Sequence, residues 1–520
     1  MEAIDFGFLS VLPPIIAIVL ALTTKEVISS LMIGIFSGAA IFAFKTAGGF
    51  FEALVNTFET TFTLMAEKMA DNINIILFLV LLGGLVVVIN LAGGSKAYGN
   101  WACTAIKSRR QAQLATSALG ALIFIDDYFN CLTVGTVMKP VTDKYNVSRA
   151  KLAYIIDSTA APICIIAPIS SWAAAVGSNL TETGAFDNAL GAFMSTVPFN
   201  LYAILCLIMV ITLSVTKLDF GPMADHEKKA IESGDLGAVD LDRIDETKIS
   251  SKGKVYDLII PIGALILFSI IAMLYTGEYF TNPEYHSFGA AFGNCDSSKS
   301  LVLGGAGALI VAFIQFIPRK VVSLNDFMDG ITEGAKSMVP ACVILTLAWT
   351  ISGICREYLM TGVYVGGLVE RSHMPVSLIP AIIFAVAAFL SFSMGTAWGT
   401  FGILIPIIVT VCEKVAPELM VIALAATLAG SVFGDHCSPI SDTTILSSTG
   451  AGVNHITHVS TQMVYSLLVA AACFIGYLAG GLAKGNLIVT LSAGIISLVA
   501  LLLGFHFFYD KKSKSKKEAK

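Results

Sequence analysis

Eight stretches of this chain each run for close to the roughly 20 residues that cross a bilayer, with almost no charge inside them. They are Val27–Phe44, Ile73–Leu91, Ala192–Val215, Asp257–Tyr275, Leu301–Ile317, Met338–Cys355, Gln462–Leu482 and Leu487–Phe508. Hydrocarbon offers no partner to an unpaired backbone group, so such stretches must be helices; isolated strands cannot satisfy themselves there. Composition agrees, since 56% apolar against 13% charged residues and a mean hydropathy of +0.80 lie outside the soluble range. The fold expected is an all-α membrane protein of about 11 transmembrane helices.

The opening segment MEAIDFGFLSVLPPIIAIV has no Lys or Arg before its apolar part and no small-residue cleavage site. It therefore reads as the first span and not as a signal peptide. The formal charge of −5 is spread over loops, and the one strong local bias is the tail Lys511–Lys517 after the last apolar run. That tail reads as a cytoplasmic flank, with nucleic acid no partner. The ten cysteines sit singly with no CxxC pair, and read as small core residues.

Basic residues group at Lys107–Arg110, Lys139–Lys151, Lys217–Lys254, Arg319–Lys320 and the tail, whereas Gly177–Met194 has none. An outside N-terminus and a cytoplasmic C-terminus put every basic group in the cytoplasm, provided residues 111–141 and 375–411 do not cross. Both segments begin apolar and break at a polar, Gly-containing patch, FIDDYFNCLTVGT from Phe124 and FSMGTAWGT from Phe392. Each then returns to a proline-marked end at Pro140 or Pro406. Both read as re-entrant hairpins.

A long span that breaks in its second half follows each hairpin, and Pro and Gly in those halves cannot keep a straight helix. The breaks match: Ala167–Ser170 reads Ala-Pro-Ile-Ser, and Ser438–Ser441 reads Ser-Pro-Ile-Ser. An amphipathic approach (Phe51–Met69; Asn325–Lys336), a span, a hairpin and a broken span thus recur in order. The hairpins enter from opposite sides, so the halves are inverted, which is the pattern of alternating access with a site at the midplane. The expected organisation is 1–45 as N-terminal transmembrane helices and 46–216 as a first repeat with hairpin 111–141 and broken helix 151–176. A flexible cytoplasmic linker, 217–254, leads to a second repeat, 255–484, with hairpin 375–412 and broken helix 417–447. Residues 485–520 form the last span and the basic tail.

An ionised side chain at the bilayer centre costs roughly 2.5–3.5 kcal/mol on insertion scales, so each carboxylate there needs a reason. Five are expected there: Asp126, Asp127, Asp157, Asp435 and Asp442. GDHCSPISDTT gathers Asp435, His436, Ser438, Ser441, Asp442, Thr443 and Thr444 around a proline break. Freed carbonyls, carboxylates and hydroxyls are hard oxygen ligands that suit sodium, while half-helix N-termini suit an anionic group instead. A carboxylate beside a cation site shifts between charged and neutral forms, which links sodium to protons, and His436 joins such a relay near neutral pH.

Structural uses compete with each of these. Asp126 or Asp127 serves as a hairpin cap, Asp435 caps the broken helix or pairs with a base, Asp442 caps the following half-helix, and His436 is a satisfied hydrogen-bond partner. Asp157 with Ser158 and Thr159 lines the site. His455 and His458 lie past the span and are expected to be solvated. The hydroxyls of Thr133, Ser170, Ser171, Ser393, Thr396 and Thr400 occupy matching hairpin tips and breaks. Trp172 and Trp398 either wall an organic substrate or pack in the interior.

FIDDYFNCLTVGTVMKPVTDKY, DSTAAPICIIAPISSW and especially GDHCSPISDTTILSS resemble the NhaC family of sodium/proton antiporters, over nearly the whole chain. The resemblance implies an ion-transporter architecture of hairpins and broken helices, and a homodimer. It also implies a site built from Asp435, Ser438, Ser441, Asp442 and Thr443 in the second half and Asp127, Asn130 and Asp157 in the first. Sodium ligands are expected among Asp127, Asp157, Asp435 and Asp442, with no cofactor beyond the transported Na+ and H+.

The function expected is therefore secondary active Na+/H+ antiport in a bacterial cytoplasmic membrane. The alternative is sodium- or proton-coupled movement of a small amino acid or carboxylate, since relatives of the family also resemble carriers of such solutes and SFSMGTAWGTFG has no carboxylate. A lipid-modifying enzyme is a poor fit, because His436-Cys437-Ser438 lacks the spacing of a nucleophile and its base. A passive channel does not explain carboxylates at both breaks, and the absence of a GxxxxGK[ST] loop leaves gradients to supply the energy.

Overall fold

The computed structural model describes residues 6–24, 26–124, 127–168, 170–186, 188–216, 218–239, 249–361, 363–364, 367 and 375–518. Among them there are helices and no strand. In chain order they are α1 (Leu12–Thr24), α2 (Val27–Thr46), α3 (Phe50–Asp71), α4 (Ile73–Leu91), α5 (Gly94–Ala105), α6 (Arg109–Leu122), α7 (Asp127–Lys144) and α8 (Arg149–Ser158). Next come α9 (Ala161–Cys164), α10 (Ser171–Glu182), α11 (Ala189–Thr196), α12 (Leu201–Val215), α13 (Gly221–Ser233), α14 (Tyr256–Thr276), α15 (Phe288–Asn294), α16 (Ser297–Phe316) and α17 (Leu324–Gly353). The series ends with α18 (Ile379–Met394), α19 (Ala397–Val415), α20 (Met420–Cys437), α21 (Asp442–Ala451), α22 (His455–Leu482) and α23 (Leu487–Glu518).

Among the described residues 9 helices are long and apolar enough to cross a bilayer: α2, α4, α14, α16, α17, α18, α20, α22 and α23. A tenth results if α11 and α12, bent by 48° where they meet, count as one. This is fewer than the eleven expected. The N-terminal stretch falls short because α1 has only 13 residues, below the roughly 20 that a crossing helix needs.

Apolar side chains such as Ile259, Leu267 and Ile271 on α14, Ile310 and Ile314 on α16, and Ile488 and Ile496 on α23 point outward and stay exposed. Lipid, not protein, is their counterpart. Phe51, Val55, Phe58 and Phe62 give α3 a similar outward face, while Thr57, Thr61 and Leu64 face in.

The bundle closes around α20, whose residues from Ile422 to Cys437 are all buried. Small residues permit this: a Cβ on Gly434 would stand 2.3 Å from the carbonyl oxygen of Ala388, so α20 rests directly on the backbone of α18. A Cβ on Gly450 would stand 2.4 Å from the Cys131 carbonyl oxygen, which seats α21 on α7 in the same way. Without a hydrophobic drive between helices in lipid, close backbone approach of this kind supplies the dispersion contact that holds them. Seven of the nine described cysteines are buried in this interior, unbridged.

Helices run further than their prolines predict. Pro140 lies inside α7 and Pro406 inside α19, and the approach to the second repeat is continuous with its span in the 30-residue α17. The interrupted spans do break. α20 stops at Cys437 and α21 starts at Asp442, whereas α8 stops at Ser158, well before Ala167–Ser170, and a four-residue α9 precedes α10.

One end of the bundle collects basic residues on acidic partners. Arg109 pairs with Glu227, Arg149 with Asp143 at 2.8 Å and Lys151 with Asp219 at 2.6 Å. The stretch expected as a flexible linker is partly built into this end: α13 packs on α8 and α22, and the Ser250 amide donates to the Leu91 carbonyl at 2.8 Å.

Candidate functional site

The four residues between α20 and α21 give up helical hydrogen bonds, and side chains replace them. Ser441 is the N-cap of α21 and accepts from the Thr444 amide at 3.3 Å. Ser438 Oγ donates to the Phe392 carbonyl at 2.8 Å, tying the break to the end of α18. The Pro439 carbonyl is met by His455 Nε2 at 2.8 Å, so His455, expected in solvent, is instead buried against the break.

Asp435 sits in the last turn of α20, 2% exposed. Its Oδ2 accepts from Thr443 Oγ1 at 3.2 Å, and that hydroxyl lies 2.9 Å from Ser441 Oγ. Its Oδ1 is buried without a partner. Asp442, Asp127 and Asp157 are its carboxyl neighbours. Two more buried oxygens, Asn130 Oδ1 and Thr133 Oγ1 on α7, also have no partner. Leaving buried carboxylate and amide oxygens unsatisfied is costly. A small hard cation is a species that oxygens of this kind accommodate. Among the described residues no three His, Cys, Asp or Glu side chains converge as a metal centre, so the neutral oxygens matter to any such site.

Asp442 is the first residue of α21, with Ser441 and not Asp442 at the cap position. Its carboxylate accepts from the Thr443 amide at 2.8 Å and from Tyr128 OH, and Trp349 also donates to it. The partners of this carboxylate are thus neutral, and it faces a cavity of about 540 Å3 lined further by Asn179, Arg356, Thr396, Trp398 and Lys68. The cations on that wall are already matched: Lys68 lies 2.7 Å from Glu357 and 3.1 Å from Asp71, and Arg356 lies 3.2 Å from Glu357.

At the first break the arrangement is closed. Asp157, 1% exposed, accepts at Oδ2 from Gln462 Nε2 at 2.6 Å and from His458 Nε2 at 3.1 Å. His436 Nε2 stands 3.8 Å away. The other nitrogen of His436 meets Tyr202 OH at 2.6 Å, and Ser158 Oγ lies 3.4 Å from Nε2. Thr159 Oγ1 turns back to the Ile155 carbonyl at 2.8 Å.

Asn130 Nδ2 reaches three carbonyls, those of Gly120 (2.7 Å), Ile123 (2.8 Å) and Thr159 (3.0 Å). It thereby satisfies backbone freed at the end of α6 and at the break after α8, which is a structural use of its amide. Ser170 caps α10, accepting from the Ala173 amide at 3.1 Å and donating to the Cys164 carbonyl at 2.8 Å.

Of the remaining residues singled out in the sequence, Ser393 is buried near the end of α18. Thr396 caps α19 and lines the cavity. Thr400 donates to the Thr396 carbonyl at 2.9 Å. Asp127 is buried at the start of α7, and Asp126 lies outside the described residues. Trp172 is wholly buried with its ring centroid 5.8 Å from that of Trp398, so Trp172 packs the interior while Trp398 reaches the cavity.

Sequence reading misses His458 and Gln462, along with Tyr128, Tyr202 and Trp349. His458 is fully buried on Asp157 and not solvated, because α22 begins at His455 and carries it inward. A signal exists: His455, His458, Gln462 and Tyr465 repeat at steps of three and four along an otherwise apolar helix, which puts them on one face.

An uncharacterized protein of Haemophilus influenzae is 40% identical over 511 residues, covering 96% of each chain. A malate-2H(+)/Na(+)-lactate antiporter of Bacillus subtilis is 29% identical over 207 residues, 35% of this chain and 43% of its own. An uncharacterized Na(+)/H(+) antiporter of Haemophilus influenzae is 28% identical over 166 residues, 29% of this chain and 32% of its own. The solved MtrF of Neisseria gonorrhoeae, placed in a class of antimetabolite efflux pumps, covers 93% of this chain and 94% of its own at 10% identity, with a TM-score of 0.34. The family model described as the Na+/H+ antiporter family matches residues 163–482, more than half of the chain. This chain, a multi-pass membrane transporter, belongs to the Na+/H+ antiporter family.

Proposed function

We propose that the chain exchanges sodium for protons across a bacterial cytoplasmic membrane by alternating access. The observation that carries this reading is the buried, unpartnered Oδ1 of Asp435, with Asn130 Oδ1 and Thr133 Oγ1 also unpartnered and Asp127 and Asp442 nearby. Sodium is held by Asp435, Thr443 and the oxygens of α7, and its arrival competes with protons for the crowded carboxylates. Two inverted halves, 46–216 and 255–484, with re-entrant hairpins at 111–141 and 375–412, move against each other about the breaks after Ser158 and Cys437. The basic cluster formed by Arg109, Arg149 and Lys151 supports a cytoplasmic placement for that end, with the N-terminus outside.

The test is sodium added alone to sealed proteoliposomes holding a pH gradient. The native protein dissipates the gradient and Asp435→Asn does not; a native protein silent toward sodium at every pH overturns the reading.

A second reading has its own observation. The cavity of about 540 Å3 above Asp442 is far roomier than one dehydrated cation needs, and one relative is named for exchanging malate and lactate. Coupled movement of a small amino acid or carboxylate replaces the first reading if the gradient dissipates only when such a solute accompanies sodium.

A further inference from the structure

A second cavity, of about 390 Å3, lies away from both breaks, where α12 ends and the start of α6 meets α13. Apolar and charged surface join there. Ile211 and Val215 face outward from the end of α12, and Val215 with Leu213, Ala224 and Ile231 carries that apolar surface onto the cavity wall. Ile231 is 59% exposed. Apolar side chains left open beside the end of a span, with charged residues following directly, mark the depth at which acyl chains give way to headgroups.

The buried carboxylates of the wall are already matched. Glu227 pairs with Arg109 and accepts from the Ser148 amide at 2.9 Å, and Asp219 accepts from Lys151 at 2.6 Å and from Tyr465 OH at 2.7 Å. Two cations are less engaged. Lys228 stands 4.0 Å from Glu232 with both side chains exposed, and the exposed Arg110 forms no ion pair among the described residues. Ser214, on the same wall and 3% exposed, buries its Oγ with no hydrogen-bond partner. A buried hydroxyl without an acceptor carries a desolvation cost that an incoming oxygen relieves. Two available cations and a spare O–H donor above an apolar wall match a phosphate ester that is joined to hydrocarbon.

We propose that this cavity binds the headgroup of an anionic phospholipid from the leaflet at this end of the bundle. Arg110 and Lys228 hold the phosphate, Ser214 donates to one of its oxygens, and the acyl chains leave along Val215 and Ile211. A soluble phosphate would use the same cations and hydroxyl but leave the apolar wall uncovered, so a lipid is the occupant that the whole lining fits. The inference stands apart from the antiport reading, because none of these residues belongs to either break.

Purified full-length protein in detergent is titrated with phosphatidylglycerol or with phosphatidylcholine of the same acyl chains. Bound lipid is read by native mass spectrometry beside the melting temperature. The native protein is expected to retain phosphatidylglycerol more tightly and to melt higher with it. Arg110→Ala should weaken that retention about fivefold, the effect of one interfacial cation. Ser214→Ala should weaken it less and leave the melting temperature without lipid unchanged. Lys299→Ala, which removes an equal charge from an exposed position outside the cavity, should retain lipid as the native protein does. Equal retention of the two lipids by the native protein, or equal losses in Arg110→Ala and Lys299→Ala, overturns the inference. Inorganic phosphate that displaces phosphatidylglycerol and raises the melting temperature as much also overturns it, since the site then belongs to a soluble anion.

Discussion

Asp157 and Asp435 occupy matching places, each within three residues of the end of a buried half-helix, yet their surroundings are opposite. Asp157 is saturated: an amide and an imidazole donate to one oxygen, with a second imidazole 3.8 Å away. Asp435 is met by hydroxyls alone: Thr443 reaches Oδ2 at 3.2 Å with Ser441 beside it, and Oδ1 has no partner. The difference lies in what the protein lends each carboxylate. Nitrogen donors surround Asp157, whereas Asp435 keeps an oxygen with no partner.

The comparison breaks or sharpens under substitution. The largest effect is expected from Asp435→Asn, which removes the carboxylate of the proposed sodium site and should weaken sodium binding at least about tenfold, measured by isotope uptake into proteoliposomes. Asp157→Asn, which removes only a neighbouring charge, should weaken sodium binding less; equal losses in the two variants would erase the contrast. Gly434→Val comes next, because its side chain collides with the Ala388 carbonyl at the α18–α20 seam. Overpacking of that kind costs about 1–3 kcal/mol, and folded yield and melting temperature should both drop.

Gln462→Leu takes a donor from Asp157 and leaves part of its charge uncompensated, a loss of about 1–3 kcal/mol visible in thermal melting, with sodium affinity changed less than stability. The smallest effect is expected from Ser170→Ala. Its hydroxyl caps α10, so about 1 kcal/mol of stability goes while sodium binding stays within error; a clear drop in affinity would instead draw Ser170 into the ion site.

Much of this was legible from the chain. Apolar length marked the spans, Ser-Pro-Ile-Ser marked the second break at the residues where α20 ends, and the Asp-Thr-Thr after it opened a half-helix as capping chemistry requires. Other features were misread. Ala167–Ser170 carried the first break by analogy with the second, yet α8 already ends at Ser158, where Thr159 bonds back to Ile155 and Asn130 collects the freed carbonyl. His455 and His458 looked like loop residues because α22 starts earlier than its apolar run.

Local chemistry decides what is local: helix length, caps, proline breaks and which residues share a face of one helix. Partners decide the rest. Whether Asp157 meets a histidine 301 residues away, or Asp435 meets nothing at one oxygen, depends on the rotation and depth of α22 against α8 and of α20 against α18. Glycine contacts such as Gly434 on Ala388 fix that register. A sequence pattern specifies a helix face to within a stripe, but the pairing of stripes from distant helices is an outcome of packing the whole bundle, and the contrast between the surroundings of the two carboxylates exists only there.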